Sequence, residues 1–210
     1  MTPAPKDHWE SVYQTKAIDE LSWFRSHLET SLGFVKQAGL GPRAAVIDIG
    51  GGASTFVDDT LELDLSVTVL DLSASALAAA RARLGQRARA VTWSCADVLA
   101  ADLPEASYDL WHDRAVFHFL IEPVDRASYL ATLRRSLKPG GVVVLATFGP
   151  NGPDKCSGLR VARYTPEDLH RELGAPFELL GAATEIHRTP WGSEQEFSYC
   201  FCRLPAAARS

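Results

Sequence analysis

Short apolar runs alternate with helical patterns along most of the chain, an arrangement typical of βαβ units around a mostly parallel sheet. The buried strands of such a sheet are predicted at residues 44–49, 67–70, 90–93, 108–111 and 142–148. Helices between them are predicted at residues 56–63, 73–84 and 124–137. Ser73 is expected to cap the second helix, and Lys138-Pro139-Gly140-Gly141 is the stop signal of the third.

The pattern changes after the fifth strand. Residues 149–158 are rich in Gly, Pro and Asn and predict a loop, and Thr165 then caps a helix that ends at Leu173. Two long strands at 177–187 and 194–204 predict an antiparallel pair at the edge of the sheet. The residues before the first strand are rich in aromatics and predict one or two helices outside the sheet core. The predicted fold class is therefore α/β, with a Rossmann-like sheet and helices on both faces.

Length and composition fit one domain. The chain has 210 residues, which suits a sizeable core but is short for two domains. Its formal net charge is −5, which argues against nucleic acid as a partner because phosphates attract a basic surface. No segment resembles a signal peptide, and the longest apolar run, 142–148, is far shorter than the ~20 residues of a membrane span. We therefore expect a cytoplasmic protein with no membrane partner.

The cysteines do not suggest a metal site. Cys95, Cys156, Cys200 and Cys202 form no C-x-x-C pair. A zinc site of the usual spacing is therefore not expected, and we expect reduced thiols in a cytoplasmic protein.

A glycine-rich turn follows the first predicted strand. Gly50, Gly51 and Gly52 permit a tight turn and let a ligand approach the backbone closely. A dinucleotide fingerprint would place another glycine at position 55, where this chain has Thr55. Asp48, just before the turn, would repel a pyrophosphate but suits a cation. S-adenosylmethionine carries a sulfonium and an ammonium, so the turn favours it over NAD as the cofactor.

Acidic residues follow the next two strands. Asp71 ends the second strand, ~20 residues after the turn, where a carboxylate accepts hydrogen bonds from ribose hydroxyls. The alternative role for Asp71 is a helix cap ahead of Ser73. Asp97 follows the third strand and can accept from an adenine amino group, while Leu72 and Val98 can sandwich the base.

Together these motifs resemble the successive motifs of class I S-adenosylmethionine-dependent methyltransferases. The resemblance spans residues 44–148 and rests on Asp48 with the glycine turn, on Asp71, on Asp97 and on residues 137–141. One departure is Ser54, where many members have a third glycine. The resemblance implies a methyltransferase with S-adenosylmethionine as its cofactor, built on a seven-stranded sheet whose last strand is antiparallel.

Polar side chains follow the fourth predicted strand, at the edge of the sheet where ligands of open α/β folds bind. His112 is expected at the methionine part of the cofactor, and Asp113 and Arg114 are expected to position the methyl acceptor. A structural ion pair between Asp113 and Arg114 is the alternative. His118 is either a catalytic base or a core histidine, and the sequence leaves both roles open.

The Asp113-Arg114-Ala115 stretch also resembles the thiopurine methyltransferase type of small-molecule enzyme. In that group a Gly-Pro loop after the fifth strand covers the acceptor, and residues 149–153 occupy that place here. Trp9, Tyr13 and Trp23 are similar to the aromatic lid of the same group and would enclose the cofactor; simple helix packing is the alternative. We therefore divide a single domain, 1–210, into a helical lid (1–40), a cofactor-binding core (44–148) and an acceptor loop with a C-terminal hairpin (149–210).

The predicted activity is methyl transfer to a small molecule, a thiol, selenol or amine. Arg114 would orient the acceptor, and His118 would take its proton. The sequence shows no catalytic triad, as expected for an in-line displacement that mainly needs alignment and exclusion of water. Two alternatives stay open: a protein-lysine N-methyltransferase, and a cofactor-binding module or NAD-binding dehydrogenase. The expected assembly is a monomer or homodimer.

Overall fold

A computed structural model describes residues 5–15 and 17–206 and shows the predicted alternation of strands and helices. Residues 1–4, 16 and 207–210, which belong to the predicted lid and hairpin regions, lie outside the described residues. In chain order the elements are α1 (Pro5–Thr15), α2 (Glu29–Gln37), β1 (Ala45–Ile49), α3 (Phe56–Glu62), β2 (Ser66–Asp71), α4 (Ala74–Leu84), β3 (Val91–Cys95), β4 (Tyr108–Arg114), α5 (Pro123–Ser136), β5 (Leu137–Phe148), β6 (Lys155–Cys156), β7 (Leu159–Arg160), α6 (Pro166–Leu173), β8 (Glu178–Arg188) and β9 (Glu194–Arg203).

Seven of these strands form one sheet in the order β3-β2-β1-β4-β5-β9-β8. Strands β1 to β5 pair in parallel, and β9 runs antiparallel to both β5 and β8. The predicted fold class is confirmed: a Rossmann-like, mostly parallel sheet with an antiparallel C-terminal strand. The strand order reverses between β1 and β4, and ligands of open α/β sheets bind at the carboxyl ends of the strands beside such a point.

Different helices cover the two faces of the sheet. One face packs against α2, α3 and α4 through side chains that include Phe34, Phe56 and Leu77. The other face packs against α5 and α6 through side chains that include Tyr129 and Leu169. Burying a Leu or Phe side chain stabilises the fold by about 1.5–3 kcal/mol. None of the helices that the structure describes is long and apolar enough to cross a membrane.

The helix caps agree with the prediction from the sequence, whereas two segments after α5 differ from that prediction. Ser73 Oγ accepts a hydrogen bond from Ala76 N at 3.1 Å and caps α4, as predicted. Thr165 caps α6 in the same way, through Asp168 N at 3.1 Å. β5 starts at Leu137, so the expected stop signal belongs to the strand. The end of the expected loop forms the small β6–β7 hairpin, because its two short strands pair with each other.

The length of β4 corrects the predicted position of Asp113. The strand does not end at residue 111 but continues to Arg114. Because side chains alternate along a strand, Asp113 points to the opposite face from Arg114. Its carboxylate is fully buried against α5 and accepts hydrogen bonds from Tyr129 OH (2.6 Å) and Val116 N (2.8 Å). Asp113 is therefore a core residue between the sheet and α5, on the opposite face of the sheet from Arg114.

Tyr129→Phe tests this core role of Asp113. The substitution removes a donor from a buried carboxylate, whose pKa burial raises to about 6, and it also removes the acceptor of Trp111 Nε1 (2.8 Å). We expect the free energy of unfolding at neutral pH to fall by about 1–3 kcal/mol. Urea denaturation measures the loss, with Tyr108→Phe, at a second buried tyrosine, as the control. Equal losses in both variants would contradict a specific hydrogen bond to Asp113.

Candidate active site

Glycines shape the turn after β1. Gly50 has a φ of +65°, which glycine adopts without strain, and a Cβ at this position would collide with Val116. The Gly50 N–H donates to Leu70 O at 2.7 Å and ties the turn to β2. A Cβ at Gly52 would lie only 2.5 Å from Asp71 Oδ2, so this glycine lets the carboxylate approach the turn. The close approach that the sequence predicts at this turn therefore has a steric basis.

Asp48 lies beside the turn, is buried and pairs with a histidine from the neighbouring strand. Its Oδ1 accepts a hydrogen bond from His112 Nδ1 at 2.6 Å, and His112 Nε2 lies 2.9 Å from Ser31 Oγ. The imidazole also stacks on Phe56, with 3.8 Å between ring centroids. Both ring nitrogens of His112 therefore have protein partners, so this histidine orients Asp48.

The second carboxylate oxygen of Asp48, Oδ2, is buried and makes no hydrogen bond with the described residues. Asp48 borders a cavity of about 40 Å³ together with Gly51, Trp23 and Arg25. A buried acceptor without a donor is unfavourable, and a ligand N–H can offset that penalty. The residues present thus fit an ammonium group at Asp48, and the Arg25 guanidinium could hold a carboxylate nearby.

A larger cavity of about 380 Å³ lies beside the carboxyl ends of β2, β3 and β4. Small-molecule sites typically measure roughly 300–1,000 Å³. Every predicted cofactor residue except Gly52 lines one or both of the two cavities. These residues are Trp9, Tyr13, Trp23, Asp48, Gly50, Gly51, Asp71, Leu72, Asp97, Val98 and His112.

Asp71 ends β2 and faces the larger cavity. Burial raises the pKa of its carboxyl from 3.8 to about 7, although Ser73 N (2.8 Å) and Gly52 N donate hydrogen bonds to it. The negative charges of Asp48 and Glu10 raise this pKa further. Asp71 therefore stabilises the first turn of α4 through Ser73 and also presents a carboxylate to the cavity.

The three residues expected around an adenine line the same cavity. Val98 is buried, Leu72 is half-buried and Asp97 is exposed. Asp97 Oδ1 accepts a hydrogen bond from Leu99 N at 2.9 Å, which fixes the orientation of the carboxylate. The cavity thus combines two apolar walls with an oriented polar acceptor.

The aromatic residues before β1 form another wall of the larger cavity. Trp9 packs edge-on against Trp23 and Phe119, with ring centroids 5.8 and 5.1 Å apart. Tyr13 lies 6.3 Å from Trp23, and burial raises the pKa of Tyr13 well above its usual value, so its hydroxyl stays protonated. These contacts place the segment against the cavity, and its action as a lid remains a prediction.

Glu10 attaches α1 to the first turn of α4. Its Oε2 accepts hydrogen bonds from Ser73 Oγ (2.8 Å) and Ser75 N (3.3 Å), and Oε1 accepts one from Ser75 Oγ. Hydrogen bonds from Ser75 and Ser73 lower the pKa of Glu10 to about 2. The sequence did not single out Glu10, because no local pattern reveals a contact between such distant positions.

Arg114 lines both cavities, and protein groups hold it in place. Its Nε donates to Tyr199 OH at 3.0 Å, its Nη1 to Trp23 O at 3.3 Å and its Nη2 to Glu185 Oε1 at 3.4 Å. The carboxylate that balances its charge is thus Glu185, and Asp113 lies on the other face of the sheet. Arg114 is the member of the predicted catalytic set that the structure brings to the cavities.

His118 borders neither cavity. It is fully buried, its Nδ1 accepts a long hydrogen bond from Phe148 N (3.4 Å), and its ring packs against Phe119 and Phe148. Burial and then the charge of Arg114 lower its pKa to about 3, so the imidazole is neutral at pH 7 and weakly basic. This environment favours the core interpretation of His118 over the catalytic base.

Residues 47–143 match the family model described as a methyltransferase domain. This match covers 97 of the 210 residues and supports a methyltransferase domain in the chain. The match includes the glycine turn, Asp71, Asp97 and Arg114, so the predicted resemblance to class I methyltransferases is confirmed. The narrower resemblance to the thiopurine type remains a prediction. A comparison with curated proteins finds no match.

Solved structures with the same fold are similar over almost the whole chain. A protein of echinomycin biosynthesis, which converts a disulfide bond into a thioacetal group, is 19% identical, with a TM-score of 0.77 over 98% of this chain and 94% of that one. The N-methyltransferase NodS from Bradyrhizobium japonicum, with S-adenosylhomocysteine bound, is 18% identical, with a TM-score of 0.71 over 94% and 98%. A Burkholderia thailandensis 1,6-didemethyltoxoflavin-N1-methyltransferase is 21% identical, with a TM-score of 0.67 over 95% and 84%.

The raised pKa of Asp71 predicts pH-dependent cofactor binding. Ribose hydroxyls donate to an ionised carboxylate, so binding requires Asp71 to lose its proton. We expect the affinity for S-adenosylhomocysteine to fall about tenfold for each pH unit below about 7 and to level off above it. Titration calorimetry between about pH 5 and 8 measures this. Asp71→Asn should bind weakly and without that dependence, so a persisting pH dependence in this variant would refute the assignment.

The same shift predicts the opposite trend for the ligand-free fold. The folded state holds the Asp71 proton more tightly than the unfolded chain, whose carboxyl has the ordinary pKa of 3.8. The stability contribution of this group is therefore full below about pH 4 and declines as the pH rises to about 7.

Glu10→Ala tests the attachment of α1. Without the carboxylate, the helix that carries Trp9 and Tyr13 loses its hydrogen bonds to α4, so cofactor affinity should fall about five- to thirtyfold, by about 1–2 kcal/mol. Proteolysis within residues 5–15 should also become faster. Asp7→Ala, at an exposed acid of the same helix, is the matched control and should change neither readout. Unchanged affinity in Glu10→Ala would show that the attachment does not shape the site.

Proposed function

We propose that the chain transfers a methyl group from S-adenosylmethionine to a small molecule, a thiol, selenol or amine. The observation that carries this proposal is the buried Oδ2 of Asp48 beside the glycine turn, which has no hydrogen-bond partner in the described part of the chain. An anionic group here suits the methionine ammonium of this cofactor and would repel the pyrophosphate of NAD. The methyltransferase domain matched over residues 47–143 supports the same cofactor.

The chain's own residues divide the cofactor between the two cavities. Asp48 accepts from the ammonium, and His112 holds Asp48 in place. Asp71 accepts from the ribose hydroxyls, and Leu72 and Val98 enclose the base. Asp97 accepts from the adenine amino group, while Trp9, Tyr13 and Trp23 exclude water from the other side.

Alignment of the acceptor is the main task left to the protein. When bound, S-adenosylmethionine supplies a methyl group that its sulfonium has already activated, so a strong catalytic group is not required. Arg114 borders both cavities, and we place the acceptor against its guanidinium, between the end of β4 and the β6–β7 hairpin. Cys156 of that hairpin also lines the larger cavity.

The cavity favours acceptors that need little help to lose a proton. Among the described residues that line the larger cavity there is no histidine, and two of its three carboxylates, Asp71 and Asp97, are assigned here to the cofactor, which leaves Asp125. Burial raises the pKa of Cys156 to about 12, and that of Tyr13 is also raised, so neither serves as a base at neutral pH. An acidic thiol or selenol, or an uncharged amine, meets this condition. A lysine ammonium does not, which places the protein-lysine alternative second.

Two solved neighbours support a small acceptor. The Burkholderia thailandensis enzyme is named for methylation of 1,6-didemethyltoxoflavin, and NodS is named an N-methyltransferase. Their identity to this chain is low, so they support the class of acceptor and do not specify the molecule.

Labelled S-adenosylmethionine tests the proposal directly. Incubation with fractionated metabolites should transfer label to a small-molecule fraction, and incubation with whole-cell protein should not. Asp48→Asn should weaken cofactor binding by roughly 1.5–3 kcal/mol, because a charged hydrogen-bond acceptor is lost. Asp102→Asn, at a fully exposed acid, is the control. Label in lysine side chains would favour the alternative, and binding of NAD without S-adenosylmethionine would refute the proposal.

A further inference from the structure

One carboxylate on the C-terminal hairpin gathers donors from four parts of the chain. Glu185 of β8 accepts from Arg25 Nη1 (3.0 Å), Arg114 Nη2 (3.4 Å) and Tyr199 OH (3.3 Å). Its fourth donor is Thr30 Oγ1, in the first turn of α2. These donors come from the segment between α1 and α2, from α2, from β4 and from β9, so Glu185 is a shared acceptor for four parts of the chain.

The charge of Glu185 is buried and compensated. Its side chain is 10% exposed, and that of Arg114 is 5% exposed. Burial alone would raise the pKa of Glu185, but the charge of Arg114, the hydrogen bond from Thr30 and the charge of Arg25 outweigh it and lower the pKa. The carboxylate is therefore ionised at neutral pH, and its removal would leave the Arg114 guanidinium buried without its anionic partner.

The groups held by Glu185 form a wall of both cavities. We call residues 22–30 the wall segment, because Trp23 lines both cavities and Arg25 lines the smaller one. Two further hydrogen bonds fix its backbone to the sheet: Arg114 Nη1 donates to Trp23 O (3.3 Å) and His187 Nε2 donates to Ser22 O (2.6 Å). Glu185 itself lines neither cavity, so its influence on a ligand must pass through the wall segment and Arg114.

We propose that Glu185 is a positioning residue, which fixes the wall segment and the Arg114 side chain so that Trp23 and Arg25 stay against the bound cofactor. The identity of the ligand in this inference rests on the proposed function. The link between Glu185 and the wall segment does not depend on it. The residue lies outside the matched region 47–143, so the assignment comes from contacts across the fold.

Three variants separate positioning from simple packing. Glu185→Ala removes the acceptor, and Glu185→Gln keeps its shape and one acceptor oxygen but removes the charge. Glu194→Ala is the matched control, since Glu194 lies on the same hairpin in an exposed ion pair with Arg188. The measurements are calorimetric affinity for S-adenosylhomocysteine, hydrogen exchange of residues 22–30 against that of β1 and β4, and kcat and KM with any acceptor found.

Positioning predicts a localised effect. In Glu185→Ala, the affinity for S-adenosylhomocysteine should fall about tenfold or more, and exchange should rise in residues 22–30 while β1 and β4 stay protected. The KM for the cofactor should rise more than kcat falls. Glu185→Gln should lie between Glu185→Ala and the wild type, because a neutral amide retains part of the geometry. Glu194→Ala should match the wild type in every readout.

Other outcomes overturn the inference. Wild-type affinity and wild-type exchange in residues 22–30 for both Glu185 variants would show that the carboxylate holds nothing in place. Faster exchange across the whole sheet, with unchanged affinity in the fraction that stays folded, would show a structural role only. If the wild type binds no S-adenosylhomocysteine, the proposed function fails, and the exchange of residues 22–30 still decides whether Glu185 fixes the wall segment.

Discussion

The site depends on the alternation of side chains along β4. His112 and Arg114 point to the face that carries Asp48, whereas Trp111 and Asp113 point towards α5. Since β4 pairs with β1 in a register that sets His112 opposite Asp48, the imidazole reaches the carboxylate across a single step of the sheet. On one face of the sheet, β4 therefore places His112 against Asp48 of the proposed ammonium site. On the other face, it places Asp113 in a hydrogen-bonded core with Tyr129.

The side chain of Arg114 is buried, and its burial determines which partners it must have. A charged side chain that leaves water needs a partner, and Arg114 finds one in Glu185 on the far side of β9. Glu185 also binds Arg25, so this edge of the sheet positions the residues between α1 and α2. At the other end of the same N-terminal region, Glu10 attaches α1 to α4. Hydrogen bonds to the carboxylates of Glu185 and Glu10 thus attach the cavity walls to the sheet and to α4. Aromatic packing alone does not explain the position of these walls.

The sequence predicted what local pattern encodes. Hydrophobic periodicity located the sheet strands, glycine and Asp48 marked the turn, and a capping serine marked α4. The pattern did not predict the end of β4, because residues 112–114 have polar side chains but an extended backbone. As a result, the side chains of Asp113 and Arg114 were both expected to face the acceptor, whereas they lie on opposite faces of the sheet. The roles of Glu10 and Glu185 depend on partners up to 160 positions away in sequence, and nothing local distinguishes these acids from exposed ones.

Two buried carboxylates flank the glycine turn in different electrostatic states. Asp48 accepts a hydrogen bond from His112 on one oxygen, and the other oxygen has no donor among the residues that the structure describes. Asp71 receives backbone N–H groups but no cation, and burial raises its pKa to about 7. A ligand that brings a cation to Asp48 and hydroxyl donors to Asp71 offsets both penalties, whereas a pyrophosphate would increase them. The electrostatics around the turn therefore favour the ligand that we propose, and this argument is separate from any likeness to other proteins.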